Sequence, residues 1–341
     1  MARFAIITLS MVALLALALL QGGIWPALAL GYMTALAYFL DKLAALCAPD
    51  APEGQEFPAG RGLSLLLGAL HFPLLYGGVA TLSASMAPLQ AVLCFAALGL
   101  YLGQVSNSNA HELIHQPDRG ARRLGMLVYA SVLFGHHASA HMRVHHIHAA
   151  TDRDPNSARL GEGFYRFALR AWIGSFVEGY RAERARLAKR GQGGVHPYAI
   201  YGAGSAASMA VALLIGGGTG LLWLLGLSAY AQAQLLLSDY VQHYGLRRAE
   251  VAPGKWAPVG PAHSWNAPQG FTSALMLNAP RHSDHHARPA RAYPGLELDR
   301  TAMPVLPHSL PVMATLALLP PVWRRIMDRR ARRWSADFNH V

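Results

Sequence analysis

Charge is scarce in this 341-residue chain: Asp, Glu, Lys and Arg make up 14% of it, against 53% hydrophobic residues. A soluble domain carries roughly 25% charged residues. The balance excludes an ordinary soluble fold and points to an integral membrane protein. Cysteine is scarcer still. Cys47 and Cys94 both lie in apolar runs, which excludes a disulfide framework, a cysteine-held zinc or iron–sulfur site, and a fused rubredoxin-like module. Both read as small buried hydrophobes. Repeats, low-complexity tracts and an interdomain linker are also missing, so 1–341 reads as a single membrane domain.

The net charge of +11 is gathered into the segments 119–123, 159–190, 247–255, 281–300 and 324–333, and the apolar runs between them are nearly charge-free. That is the pattern of cytoplasmic loops beside anionic lipid rather than of a nucleic-acid surface. Membrane lipids are the expected surroundings, with no nucleic-acid partner. The basic stretch 181–190 also suits the docking of an acidic electron donor.

Six apolar segments approach the ~20 residues that cross a bilayer: 4–20, 24–47, 62–83, 89–107, 198–218 and 221–239. They pair as hairpins turning at Gln21-Gly22-Gly23, near 84–88, and at Gly216-Gly217-Gly218. A signal peptide is the alternative for the first run, but an equally apolar run follows at once. An even number of crossings and the basic loops put both termini on the cytoplasmic side of a bacterial-type inner membrane. Segment 124–134 is too short to cross and is expected as a helix packed on the cytoplasmic face. Segment 304–322 carries five prolines and suits an interfacial or capping piece. The expected fold is therefore all-α and integral to the membrane. Six transmembrane helices carry a histidine-rich cytoplasmic helical cap built from 108–197 and 240–341.

Most of the 17 histidines lie in four clusters. The first, His111-Glu112-Leu113-Ile114-His115, puts two imidazoles on one helical face. Alone it also fits a zinc protease with Glu112 as general base. The second is His141-Met142-Arg143-Val144-His145-His146; α-helical spacing pairs His141 with His145 and turns His146 towards a second metal. The third is the single His243, just past the sixth apolar run, and the fourth is His282-Ser283-Asp284-His285-His286. One zinc needs three or four ligands. Nine imidazoles at one membrane face suit two metals with open positions. Imidazole serves zinc, copper, iron and nickel alike, and an open site at the mouth of a lipid-facing bundle fits iron and dioxygen best.

These elements resemble the membrane alkane 1-monooxygenase family, related to xylene monooxygenases and membrane fatty-acid desaturases. The resemblance rests on His-Glu-Leu-Ile-His, on His-Met-Arg-Val-His-His with Ala-Ala-Thr-Asp-Arg-Asp-Pro after it, on His243-Tyr244-Gly245-Leu246 and on Arg281-His282-Ser283-Asp284-His285-His286. It extends to Asp41 and to the tail Leu318-Leu319-Pro320-Pro321-Val322-Trp323. The chain departs from the family pattern at Ala140, Val144, Asp239 and Gln242. The resemblance implies two non-haem iron ions held by His111, His115, His141, His145, His146, His243, His282, His285 and His286. It also implies O2 as cosubstrate, an apolar small-molecule substrate, and electrons from a separate rubredoxin or ferredoxin with its reductase. Fatty acids, methyl-aromatics and terpenoids are alternative substrates for a related hydroxylase or desaturase.

Glu112, Asp154, Asp239 and Asp284 lie near the clusters and are candidates to receive the other N–H of a metal-bound imidazole. His136, His137 and His148 read as polar lining. His71, within an apolar run, should face the bundle interior, away from the metals. The second apolar run is expected to line a substrate tunnel, with Met33 and Ala37 setting chain length.

Overall fold

The computed structural model describes residues 1–43, 57–191 and 194–338. Cys47, His340 and the end of the expected 24–47 segment lie outside the described residues. Helix α1, Ala2–Gln21, buries Phe4, Thr8, Met11, Leu15 and Ala18, a stripe at steps of three and four, and leaves an apolar face outward. The chain reverses at Gly22 and Gly23, both at positive φ (61° and 60°), where a Cβ would be strained. Helix α2 (25–43) follows, with a π-helical turn at Tyr32–Leu36. Asp41 near its end accepts from the N–H groups of Phe271 and Thr272, at 3.1 Å each.

Helices α3 (Pro58–Ser83) and α4 (Pro88–His115) come next, α4 carrying a second π turn at Leu102–Ser106. Asp118 caps α5 (Arg119–Ser131), its Oδ1 accepting from Ala121 N at 2.8 Å. Segment 124–134 lies almost wholly within α5, which packs along α4 rather than across the end of the bundle. α5 descends into the bundle alongside α4, where Gly125 lets it approach Ala110 and Leu113. Its last residue, Ser131, bonds His71 in the middle of α3. The chain turns at Leu133, at φ 59°, and returns as α6 (137–148), so 119–148 is a helical hairpin packed into the bundle. His71 faces the interior as expected, its two ring nitrogens 2.6 and 2.7 Å from the Ser106 and Ser131 hydroxyls.

Helix α7 (Phe164–Arg190) leads to α8 (Pro197–His243), which is broken at Gly216 and Gly217 by non-helical backbone. Ser205, Ser208 and Gln232 of α8 donate to the consecutive carbonyls of Ala130, Ser131 and Val132. In an unbroken helix Ser208 and Gln232 would stand about 36 Å apart, so α8 is folded back on itself at the glycines. Among the described residues, four helices are long and apolar enough to cross a membrane: α1, α3, α4 and the doubled α8.

The remainder forms the cap. It holds a small antiparallel pair, β1 (Glu250–Ala252) with β2 (Lys255–Trp256), and the short helices α9 (Gly270–Leu275) and α10 (His282–Ala287). Segment 304–322 forms no single long helix: it gives an extended stretch, then α11 (Leu310–Ala317), then the start of α12 (Pro320–Phe338). Trp323 of α12 is fully buried against the Tyr240 and Tyr244 rings. The Tyr244 hydroxyl donates to Asp328 at 2.6 Å and accepts from Gly161 N at 2.9 Å. The tail thereby clamps the end of α8, from which His243 projects.

Candidate metal centre

Each histidine cluster sits on a short helical piece at one end of the bundle. His111 and His115 occupy the last turn of α4, where ordinary α spacing aligns them. The second cluster does not follow that spacing. Residues His141–His145 form a third π turn, and a π turn closes between i and i+5. His141 and His146 therefore come together, their Nε2 atoms 2.9 Å apart. In α10, His282 and His286 share a face with Nε2 atoms 3.1 Å apart, while His285 turns towards His146, also at 3.1 Å. His243 Nε2 reaches His282 Nε2 at 3.0 Å.

The nine histidines fall into two groups, each able to hold a metal ion: His111, His115, His141, His146 and His285, and His145, His243, His282 and His286. The expected pairing of His141 with His145 is thus replaced by His141 with His146, because the helix widens there. Ligand atoms within each group lie within 4.8 Å of one another.

The donor set fits a cation. His111, His115 and His145 have Nε2 atoms that are buried and without a hydrogen-bond partner. The remaining six converge through Nε2 alone. Burial, and then the neighbouring imidazoles, hold His141, His146, His282, His285 and His286 well below the usual histidine range. A neutral imidazole that carries its one proton on Nδ1 leaves Nε2 as a lone pair, and in that tautomer the crowded Nε2 atoms suit a shared positive centre. Two nitrogens each about 2.1 Å from one metal stand about 3.0 Å apart at a right angle and about 3.4 Å at a tetrahedral angle. The observed 2.9–3.1 Å separations place these ring nitrogens close enough together that one ion could be held by several of them.

Of the four candidate carboxylates, Asp154 does touch a histidine: its Oδ2 lies 2.9 Å from His145 Nδ1 and also accepts from Ser157 Oγ at 2.6 Å. Burial works against charge on this pair, but each partner prevails for the other, raising the His145 pKa and lowering that of Asp154. The other three serve different partners. Glu112 accepts from Gln116, Asp239 from Asn156, and Asp284 pairs with Arg291 and Arg288. Amide side chains thus bind Glu112 and Asp239, and arginines bind Asp284.

One cavity opens against both groups. His111, His141 and His282 form its inner wall, and Leu100, Leu235, Leu310, Ala314 and Leu318 most of its flank. It runs between α4, the second arm of α8, and α11. Met33 and Ala37 do not line it; both are buried in packing, at 3% and 5% exposure. The polar residues Gln104 and Gln234, set inside apolar runs, do line it, and that setting was the available signal for them. His137 lines the cavity beside His141, whereas His136 packs on Phe134 and Phe176. His148 lies on the cap surface, and His196 caps α8 by accepting from Tyr198 N.

Residues 86–317 match the fatty acid desaturase family. Alkane 1-monooxygenase 2 of Pseudomonas aeruginosa is 30% identical over 327 residues, covering 92% of this chain and 85% of that protein. Alkane 1-monooxygenase of Ectopseudomonas oleovorans is 33% identical over 256 residues, 72% of this chain and 63% of that protein. Alkane 1-monooxygenase 2 of Alcanivorax borkumensis is 33% identical over 236 residues, 68% and 62% respectively. The chain thus spans less than two thirds of the length of the latter two. The family match runs through all four histidine clusters, and the chain belongs to the alkane 1-monooxygenase family, within the wider fatty acid desaturase family.

Proposed function

We propose that this protein is a non-haem di-iron monooxygenase that hydroxylates the terminal carbon of alkanes or similar apolar substrates. The observation that carries the reading is the pair of all-histidine groups opening on a mainly apolar cavity. The overall change is R–H + O2 + two electrons + two protons → R–OH + H2O. The electrons come from a rubredoxin or ferredoxin with its reductase.

Iron held by the nine histidines supplies O2 activation and the oxidant for a C–H bond. The chain's own residues do the rest. Asp154 keeps the proton of His145 on Nδ1 and so leaves Nε2 free to ligate. Leu100, Leu235, Leu310 and Ala314 hold a hydrocarbon chain and exclude water, while His111, His141 and His282 fix where its end can approach.

Six crossings follow if α2 and both arms of α8 each traverse the inner membrane. Both termini are then cytoplasmic, on the side of the cap. The zinc-protease reading is disfavoured because Glu112 is engaged by Gln116 and all nine histidines converge. A desaturase acting at the same site remains the nearest rival. Metal analysis of the purified protein, with turnover of octane under labelled O2, tests the proposal. Two irons per chain and labelled 1-octanol are expected. Zinc alone, an alkene product, or unlabelled alcohol would defeat it.

A further inference from the structure

The cavity wall carries a polar group that a bare hydrocarbon would leave unused. Gln104 sits in the π turn of α4 and lines the cavity. Its Nε2 donates to Gln234 Oε1 at a long 3.4 Å, and its Oε1 is buried without a partner. Reversing the amide leaves the other end unmatched, so one polar end is spare in either setting. Gln234 cannot move to serve it. Its Nε2 is bonded to Gly99 O at 2.8 Å and its side chain is wedged over Gly103, where a Cβ would collide with it. Asn107, Ser238 and Gln242 of the wall are already engaged, donating to Ala231 O, Gln242 and Ala279 O, and the unpartnered Nδ1 of His137 lies beside His141 at the histidine end.

A buried, unmatched amide end is a standing cost that a ligand hydrogen bond removes. Gln104 lies seven residues before His111, about 10 Å along the helix. That length separates the polar point from the carbon held at the histidines by several bonds. We infer that the preferred substrate is a medium-length chain bearing a hydroxyl or carbonyl oxygen, bound by Gln104, with its far apolar end presented to the histidines. This inference rests on the proposed hydroxylation; it names the substrate class of the same cavity. The reaction is the one written above, with R carrying the oxygen.

The test uses 1-octanol against n-nonane, matched in heavy atoms, with the metal-loaded full chain in detergent and a reduced donor protein. Binding is read from ligand-dependent thermal unfolding, and products by mass spectrometry. The hydroxyl weakens octanol's hydrophobic drive, so tighter binding requires a polar partner. Octanol is expected to bind about tenfold or more tightly than nonane and to yield octane-1,8-diol. Gln104→Leu, checked for unchanged metal content, should bring the two affinities together; Gln104→Met serves if that variant does not fold. Equal affinities in the wild type, a preference that survives Gln104→Leu, or oxidation confined to the carbinol carbon would overturn the inference. A binding preference without any turnover would instead count against the hydroxylase reading and leave the substrate class standing.

Discussion

Asp154 Oδ2 lies 2.9 Å from His145 Nδ1, and Asn156 N and Ser157 Oγ hold the same carboxylate in place. The contact sets the tautomer of one ligand in the second histidine group. Asp154→Asn is expected to weaken metal binding in that group by about 10–100-fold and to spare the other group. Metal stoichiometry after dialysis against a weak chelator reads the effect. Equal loss from both groups would refute it.

Acid should empty the two groups in a fixed order. The Asp154 carboxylate raises the pKa of His145, so as pH falls a proton competes for that ligand above the ordinary histidine range, about 6.5. Burial lowers the values of His141, His146 and His285, which therefore stay neutral and available to lower pH. The second group should lose its metal first on acidification, with affinity falling as pH falls. Iron spectroscopy across a pH series would show two separate losses; one joint loss would contradict this order.

The π turn makes a genetic prediction. His141→Gln and His146→Gln should deplete the same metal, and the double variant should lose no more than that one. His145→Gln should deplete the other. A shared effect of His141→Gln and His145→Gln, as plain α spacing would give, would show that the turn is wrong.

Asp41 ties α2 to the cap by receiving the first N–H groups of α9. Asp41→Ala removes that cap, at a cost of about 0.5–2 kcal/mol, and should lower the thermal midpoint. Asp41→Asn should recover part of the loss. Indistinguishable melting of all three proteins would dismiss the role.

Chain-length preference should follow the cavity walls. Ala314→Phe, on α11, should shift turnover towards shorter substrates. Met33→Trp should act differently: overpacking of a buried site, about 1–3 kcal/mol of stability, with no shift in preference. Product profiles across a graded substrate series separate the two.

The nine histidines were legible in the sequence because clustering of one rare residue type survives any detail of helix geometry. So was the reversal at Gly216-Gly217, where consecutive glycines interrupt an otherwise apolar run. The assignment of ligands to groups was not. Counting 3.6 residues per turn pairs His141 with His145, and nothing in His-Met-Arg-Val-His-His signals the wider turn that the packing of α6 imposes. The hairpin path of 119–148 into the bundle was hidden for a related reason. A short helix returning to the same face looks, residue by residue, like one lying on that face. Met33 and Ala37 do not line the cavity described above, because helical spacing says which positions share a face, not which neighbour covers it.

α6 and α10 each feed both groups: His141 and His146 with His285 on one side, His145 with His282 and His286 on the other. Among the described residues no carboxylate joins either group. The spacing of two ions held there would be gauged by these two helices. Tilting either helix would displace ligands of both groups at once, so a change in the cap's packing would reach both groups together even though each would hold its own ion.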